Sequence, residues 1–126
     1  LAQAVVRDGE GVTKFVEIRV SGAQSEKAAH DVANTIATSP LVKTAFAGSD
    51  ANWGRISAAA GRAGVPFEQQ QLALWISNDK TKWLQLMAAG QTTDYLEDDA
   101  AAIFAKSDIA VHLDLANGSS AATVWT

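Results

Sequence analysis

The residues best suited to chemistry fall in two short stretches. In Arg7-Asp8-Gly9-Glu10-Gly11 a single carboxylate stands between two glycines. Glycine tolerates backbone conformations that strain other residues and lets a ligand come close to the chain. A glutamate framed in this way can reach into a cleft and pair with an ammonium group, a charge-assisted bond worth about 1.5–3 kcal/mol. A surface turn accounts for Gly-Glu-Gly equally well. The second stretch gathers Asp50, Asn52, Trp53 and Arg55 where the turn chemistry of Gly48-Ser49-Asp50 gives way to a helical pattern. Ile56, Ala59, Ala60 and Ala63 share one face of that helix. A helix N-terminus presents unpaired N–H groups and partial positive charge, so the junction can hold a carboxylate. The plainer alternative is that Asp50 or Asn52 caps the helix and Trp53 packs beneath it.

Most other chemistries are excluded. The chain has no cysteine, which removes disulfides, thiolate catalysis and cysteine-bound metals. Its two histidines, His30 and His112, give no metal motif and no Ser-His-Asp order. GEGVTK has neither the spacing of a phosphate-binding P-loop nor the third glycine of a dinucleotide fingerprint. Lys14, within that string, could sit near the Glu10 loop but reads more readily as an exposed strand lysine. Glu97, Asp98 and Asp99 suit the start of a helix better than a cation site. Ten basic against fourteen acidic residues give a net charge of −4 without a basic cluster. That argues against nucleic acid or an anionic membrane as partner. No apolar run approaches the ~20 residues that span a bilayer, and no secretion signal is visible.

The elements that must position these residues fit one domain of 126 residues. Val12 to Val20 alternates as a half-buried strand. Ser25 should cap an amphipathic helix running to Thr38, with Ala29, Val32, Ala33, Ile36 and Ala37 inward. Pro40 reads as the stop of that helix and Leu41 to Ala47 as a strand. The helix from Ala51 is closed by Gly61 and Gly64. Leu72, Leu74 and Ile76 alternate in a further strand, with Trp75 opposite and Trp83 to Met87 pairing back. Asp94-x-x-Glu97 resembles a capping box for a helix burying Leu96, Ala100, Ile103 and Phe104. Ile109, Val111, Leu113 and Leu115 alternate, leaving His112 and Asp114 on the wet face. Asn117-Gly118 is a hairpin turn signal before a last strand, Ser120 to Thr126. The order implies an α+β two-layer domain, a mixed β-sheet with helices mainly on one face.

SPLVKTAFAGSDANWGRI (Ser39 to Ile56) and VVRDGEGVTKFVEIRV (Val5 to Val20) are similar to two signatures of the ornithine acetyltransferase family. These are the bifunctional glutamate N-acetyltransferases of arginine biosynthesis. The signatures keep the family's order and spacing, and weaker similarity runs on to Ala121–Thr126. The resemblance covers nearly the whole chain but only part of the family's protein, and a start on Leu1 reads as a processed chain or a fragment.

The resemblance implies an enzyme that cleaves itself to expose an N-terminal threonine, which carries acetyl from N-acetylornithine to glutamate. In the family the Glu of the GEG motif contacts the amino-acid substrate, and here that position is Glu10. Asp50, Asn52 and Arg55 are weaker candidates nearby. The Lys-Gly-Thr-type cleavage segment and the stretch that follows Trp-Thr are both missing, so no catalytic residue and no metal ligand is assigned, and the isolated chain is expected to be inactive. Residues 1–11 would end the preceding catalytic domain and its substrate loop, and 12–126 would form the C-terminal domain of the β chain. The implied partners are an α chain and the rest of the β chain in an α2β2 assembly. The expected location is cytoplasmic. No resident cofactor is expected, although bifunctional members use acetyl-CoA as donor. The alternative is a catalytically silent interaction domain whose Trp-bearing faces bind the rest of the enzyme.

Overall fold

A computed structural model describes residues 14–49 and 53–126. Strand β1 (Phe15–Ala23) buries Val16, Ile18 and Val20 and turns Glu17 and Arg19 the other way. Helix α1 (Glu26–Thr38) begins where Ser25 Oγ accepts a hydrogen bond from the Ala28 amide at 3.0 Å. Its five expected inward residues, Ala29, Val32, Ala33, Ile36 and Ala37, are all buried.

The segment after α1 departs from expectation. Leu41 to Ala47 is not a strand but most of a second helix, α2 (Pro40–Ala47). Ser39 closes α1, its amide donating to the Ile36 carbonyl at 3.2 Å, and its hydroxyl accepts from the Val42 amide at 3.4 Å. Pro40 then stands in the first turn of α2, where a missing N–H costs nothing and a fixed φ helps. Proline here starts a helix as well as ending one. Val42, Ala45 and Phe46 are the buried face, at helical spacing.

Helix α3 (Trp53–Gly61) buries Ile56, Ala59 and Ala60. After a 3-10 turn at Gln69–Gln71 come β2 (Ala73–Ser77), β3 (Leu84–Ala88) and the two-residue β4 (Gln91–Thr92). Helix α4 (Glu97–Phe104), β5 (Asp108–Asp114) and β6 (Ser120–Trp125) complete the order. The expected capping box does not form. Leu96 is the N-cap, makes no side-chain cap bond and is 66% exposed rather than buried. Glu97, Asp98 and Asp99 therefore fill the first turn, where they complement the helix dipole.

The six strands form one mixed sheet in the order β4-β3-β2-β5-β1-β6, in which β1 and β5 are parallel and the other pairs antiparallel. Register aligns Ile18 with Val111 and Val111 with Ile76, a continuous apolar row beneath the helices. The next row, Trp75, His112, Arg19 and Thr123, lies on the opposite face. Helix α1 covers β1 and β6, α3 packs on α1, and α4 lies against β2. The result is the two-layer α+β arrangement expected, with helices on one face and, among the described residues, the other face open.

Asn117-Gly118 does not join neighbouring strands, because β1 lies between β5 and β6. The connection instead bridges the end of β1: Leu115 and Asn117 amides donate to the Ser21 and Gly22 carbonyls at 3.0 and 2.6 Å. Gly22 has φ +66°, and a side chain on Gly118 would run into the Ala23 carbonyl. Close backbone approach, rather than a hairpin, is what these glycines serve.

Candidate functional site

Lys14 falls in phase with Val16, Ile18 and Val20, so it lies on the helix-covered side of the sheet. It is 7% exposed, a correction to its reading as a surface lysine. Its Nζ donates to Ser49 Oγ at 2.7 Å and to the Phe104 carbonyl. Each acceptor has a structural reason to be there. Phe104 is the last residue of α4, whose terminal carbonyls have no intrahelical partner and carry the negative end of the helix dipole. Ser49 closes α2: its amide donates to the Phe46 carbonyl at 3.1 Å, and its φ of 56° is in the left-handed region.

The two helix ends are held together by their aromatic rings. Phe46 and Phe104 stack with centroids 5.1 Å apart and planes 17° from parallel. Both are buried, so α2 and α4 converge on the lysine through an apolar contact. Among the described residues no carboxylate makes a salt bridge with Lys14. Burial pushes its pKa below the ordinary lysine value, which is the expected direction for a desolvated ammonium.

Lys14 belongs to the stretch that contains Glu10, and Ser49 precedes Asp50. One hydrogen bond thus joins the two motif stretches. Glu10, Asp50 and Asn52 themselves lie outside the described residues. Arg55, on α3, is half-buried and donates from Nη1 to the Leu41 carbonyl at 3.2 Å, bracing the start of α2. Arg62 reaches Ser39 Oγ at 3.4 Å from the same side of that helix junction. Sequence reasoning favours an exposed Lys14, although its parity with the buried residues of β1 is a usable signal against that.

The open face carries separate features. Glu17 accepts from Lys80 Nζ and from the Trp125 indole, both at 2.9 Å. Partial burial pushes its carboxyl up, but the Lys80 and Trp125 bonds outweigh this and hold it below the usual carboxylate value. These residues, with Asp79 and Asp108, border a cavity of about 320 Å³. His112 packs against Trp75 at 5.4 Å and edge-on to Trp83 at 6.2 Å, with Nε2 2.8 Å from Ser21 Oγ. The tryptophans pack around this imidazole, and Trp83 and Trp125 remain 40% and 61% exposed. Among the described residues no group of three or more His, Asp or Glu side chains is placed to hold a metal ion. No described helix is long and apolar enough to cross a membrane.

An α+β domain of this design occurs in a solved arginine-biosynthesis protein. The chain matches the crystal structure of arginine biosynthesis bifunctional protein ArgJ from Bacillus halodurans with a TM-score of 0.86 and 34% sequence identity, over 98% of this chain and 56% of that one. ArgJ of Chlorobium chlorochromatii is 48% identical over 126 residues, and ArgJ of Chlorobaculum tepidum 45% identical over 126 residues. The ArgJ family model matches residues 1–126, and the chain belongs to the ArgJ family. It spans all of its own length in these matches but only 28% and 30% of the length of the two relatives.

Proposed function

We propose that this chain supplies one wall of the amino-acid site of an acetyltransferase in arginine biosynthesis, with Glu10 as its contact to substrate. The parent enzyme moves acetyl from N-acetylornithine to glutamate. A threonine hydroxyl outside this chain attacks the acetyl carbonyl, and ornithine leaves with its amine protonated. The glutamate amine then attacks the resulting ester, forms the new amide and returns the hydroxyl. Backbone donors steady the oxyanion in both steps.

The role of this domain is to bind and orient. Glu10 pairs with a cationic group of the amino-acid substrate, and Asp50, Asn52 and Arg55 border the same site. The rest of the site comes from an α chain and the remainder of the β chain in an α2β2 assembly in the cytoplasm, with acetyl-CoA as donor where the parent is bifunctional. The observation that carries this reading is the Lys14–Ser49 bond of 2.7 Å, which ties the stretch bearing Glu10 to the one bearing Asp50. Family membership across residues 1–126 supports the chemistry.

The test is Glu10→Ala in the complete enzyme. Loss of one charge-assisted contact worth about 1.5–3 kcal/mol should lower kcat/KM roughly 10- to 150-fold. Unchanged kinetics would refute the assignment. The exposed Trp83 and Trp125 favour a second role, docking the open face on other segments of the enzyme. Calorimetry of the isolated chain with N-acetylornithine separates the two: tight binding would show that the chain is more than a docking module.

A further inference from the structure

Lys14 is the one buried cation among the described residues, and the family signatures assign it nothing. Ammonium groups are seldom buried without a carboxylate partner, because desolvation is costly. Here the described acceptors are a hydroxyl and a helix-end carbonyl, both neutral. Such an arrangement is a poor way to gain stability, since an apolar side chain of the same length would fill the space without that penalty. It is a good way to fix a direction: the Phe104 carbonyl anchors the ammonium, and the ammonium anchors Ser49. Ser49 is also held in the left-handed region at φ 56°, where a residue other than glycine is uncommon. Glycine would relax the backbone there but would offer no hydroxyl.

We propose that Lys14 is a positioning residue, whose buried ammonium clamps Ser49, at the end of α2, against the start of β1. The proposal rests on the reading of Glu10 as a substrate contact and deepens it. Lys14 touches no substrate in this scheme. It acts through Ser49 by fixing how the two motif stretches meet.

The complete enzyme is compared with Lys14→Met, Ser49→Gly, the double variant and Glu10→Ala, by kinetics and thermal melting. Ser49→Gly is the decisive variant, because it removes the hydroxyl while easing the backbone. It is expected to stay folded, the eased backbone offsetting part of the lost hydrogen bond, yet lose about 10²-fold in kcat/KM, as misplacement of a site by roughly 1 Å does. Lys14→Met should show a similar loss. The double variant should be no worse than the worse single, because both break one bond.

Ser49→Gly with parental kcat/KM overturns the clamp, whether or not Lys14→Met folds. So does a double variant whose losses multiply. If Glu10→Ala is impaired while Ser49→Gly is not, the clamp falls and the Glu10 reading stands. If Ser49→Gly is impaired while Glu10→Ala is silent, the clamp stands and the Glu10 assignment falls.

Discussion

Phe46→Ala tests the apolar contact on which the site geometry depends. Phe46 is 4% exposed and stacks on Phe104, itself 1% exposed, at a centroid distance of 5.1 Å. Truncation removes the ring and leaves a hole beneath the Ser49 turn. A buried Phe→Ala change costs about 3–5 kcal/mol through lost transfer and cavity terms together. The lost stacking, about 0.5–1.5 kcal/mol, places this site toward the upper end of that range. Against a total stability of about 5–15 kcal/mol, the variant should remain folded but lose a third or more of its margin. For a domain of this length the melting temperature should fall by about 10–20 °C.

The assay is urea unfolding followed by tryptophan fluorescence, with Phe46→Leu and Phe104→Leu alongside to close a double-mutant cycle. Phe46→Leu keeps apolar volume and should cost less than Phe46→Ala. The cycle should return a coupling of about 0.5–1.5 kcal/mol. A loss below about 1.5 kcal/mol for Phe46→Ala would mean that the ring is not enclosed between α2 and α4. The account of how the two helix ends converge would then be wrong.

Two further outcomes follow from the same structure. Ser39→Ala should lower stability by about 1 kcal/mol while Ser39→Gly costs only a few tenths, the ranking of an N-cap; equal costs in denaturant titration would deny the cap at the start of α2. Burial, then the nearby Arg19 charge, holds His112 below the ordinary histidine pKa of 6.5, with Asp114 opposing. The unfolded chain therefore binds this proton first as pH falls, and stability should decline below about pH 7 until the folded imidazole also protonates. His112→Gln should flatten that limb of the stability–pH curve. An unchanged slope between pH 7 and 5 would show that the imidazole makes no net contribution.

The fold was legible where one physical signal acted alone. Alternation in β1 and β5, and helical spacing after Ser25, each correspond to a buried face that needs no information from elsewhere in the chain. Errors arose where a local signal has two meanings. Ser39-Pro40 closes one helix and opens the next, and β-branched residues at 42 and 44 do not override helical spacing of Val42, Ala45 and Phe46. Asn117-Gly118 has hairpin chemistry, but which strands are neighbours is a property of the whole sheet, and β1 had already taken the place between β5 and β6. Leu96 has the spacing of Ala100, Ile103 and Phe104, but the helix starts at Glu97, which leaves Leu96 as an extended, exposed N-cap outside the buried face. At the site, Arg55 is a candidate by its place at the loop–helix junction, whereas its guanidinium hydrogen-bonds to the Leu41 carbonyl. Lys14 reads as exposed only when residue type is weighed above parity. A charged residue in phase with three buried ones was the more informative signal.

That same parity explains how Lys14 and Ser49 meet although they lie 35 positions apart in sequence. β1 is a middle strand, paired on both sides, so the position of Lys14 at its start is fixed by the sheet. Ser49 is fixed by the end of α2, which the Phe46–Phe104 contact ties to α4. Lys14 joins these two rigid references. A clamp made of neutral acceptors has a further consequence. It leaves the positive charge of Lys14 uncancelled by its described partners. A carboxylate in place of Ser49 would hold the ammonium more tightly but would remove that bias. Ser49→Asp in the complete enzyme should therefore fail to restore activity lost in Ser49→Gly, although it strengthens the local bond.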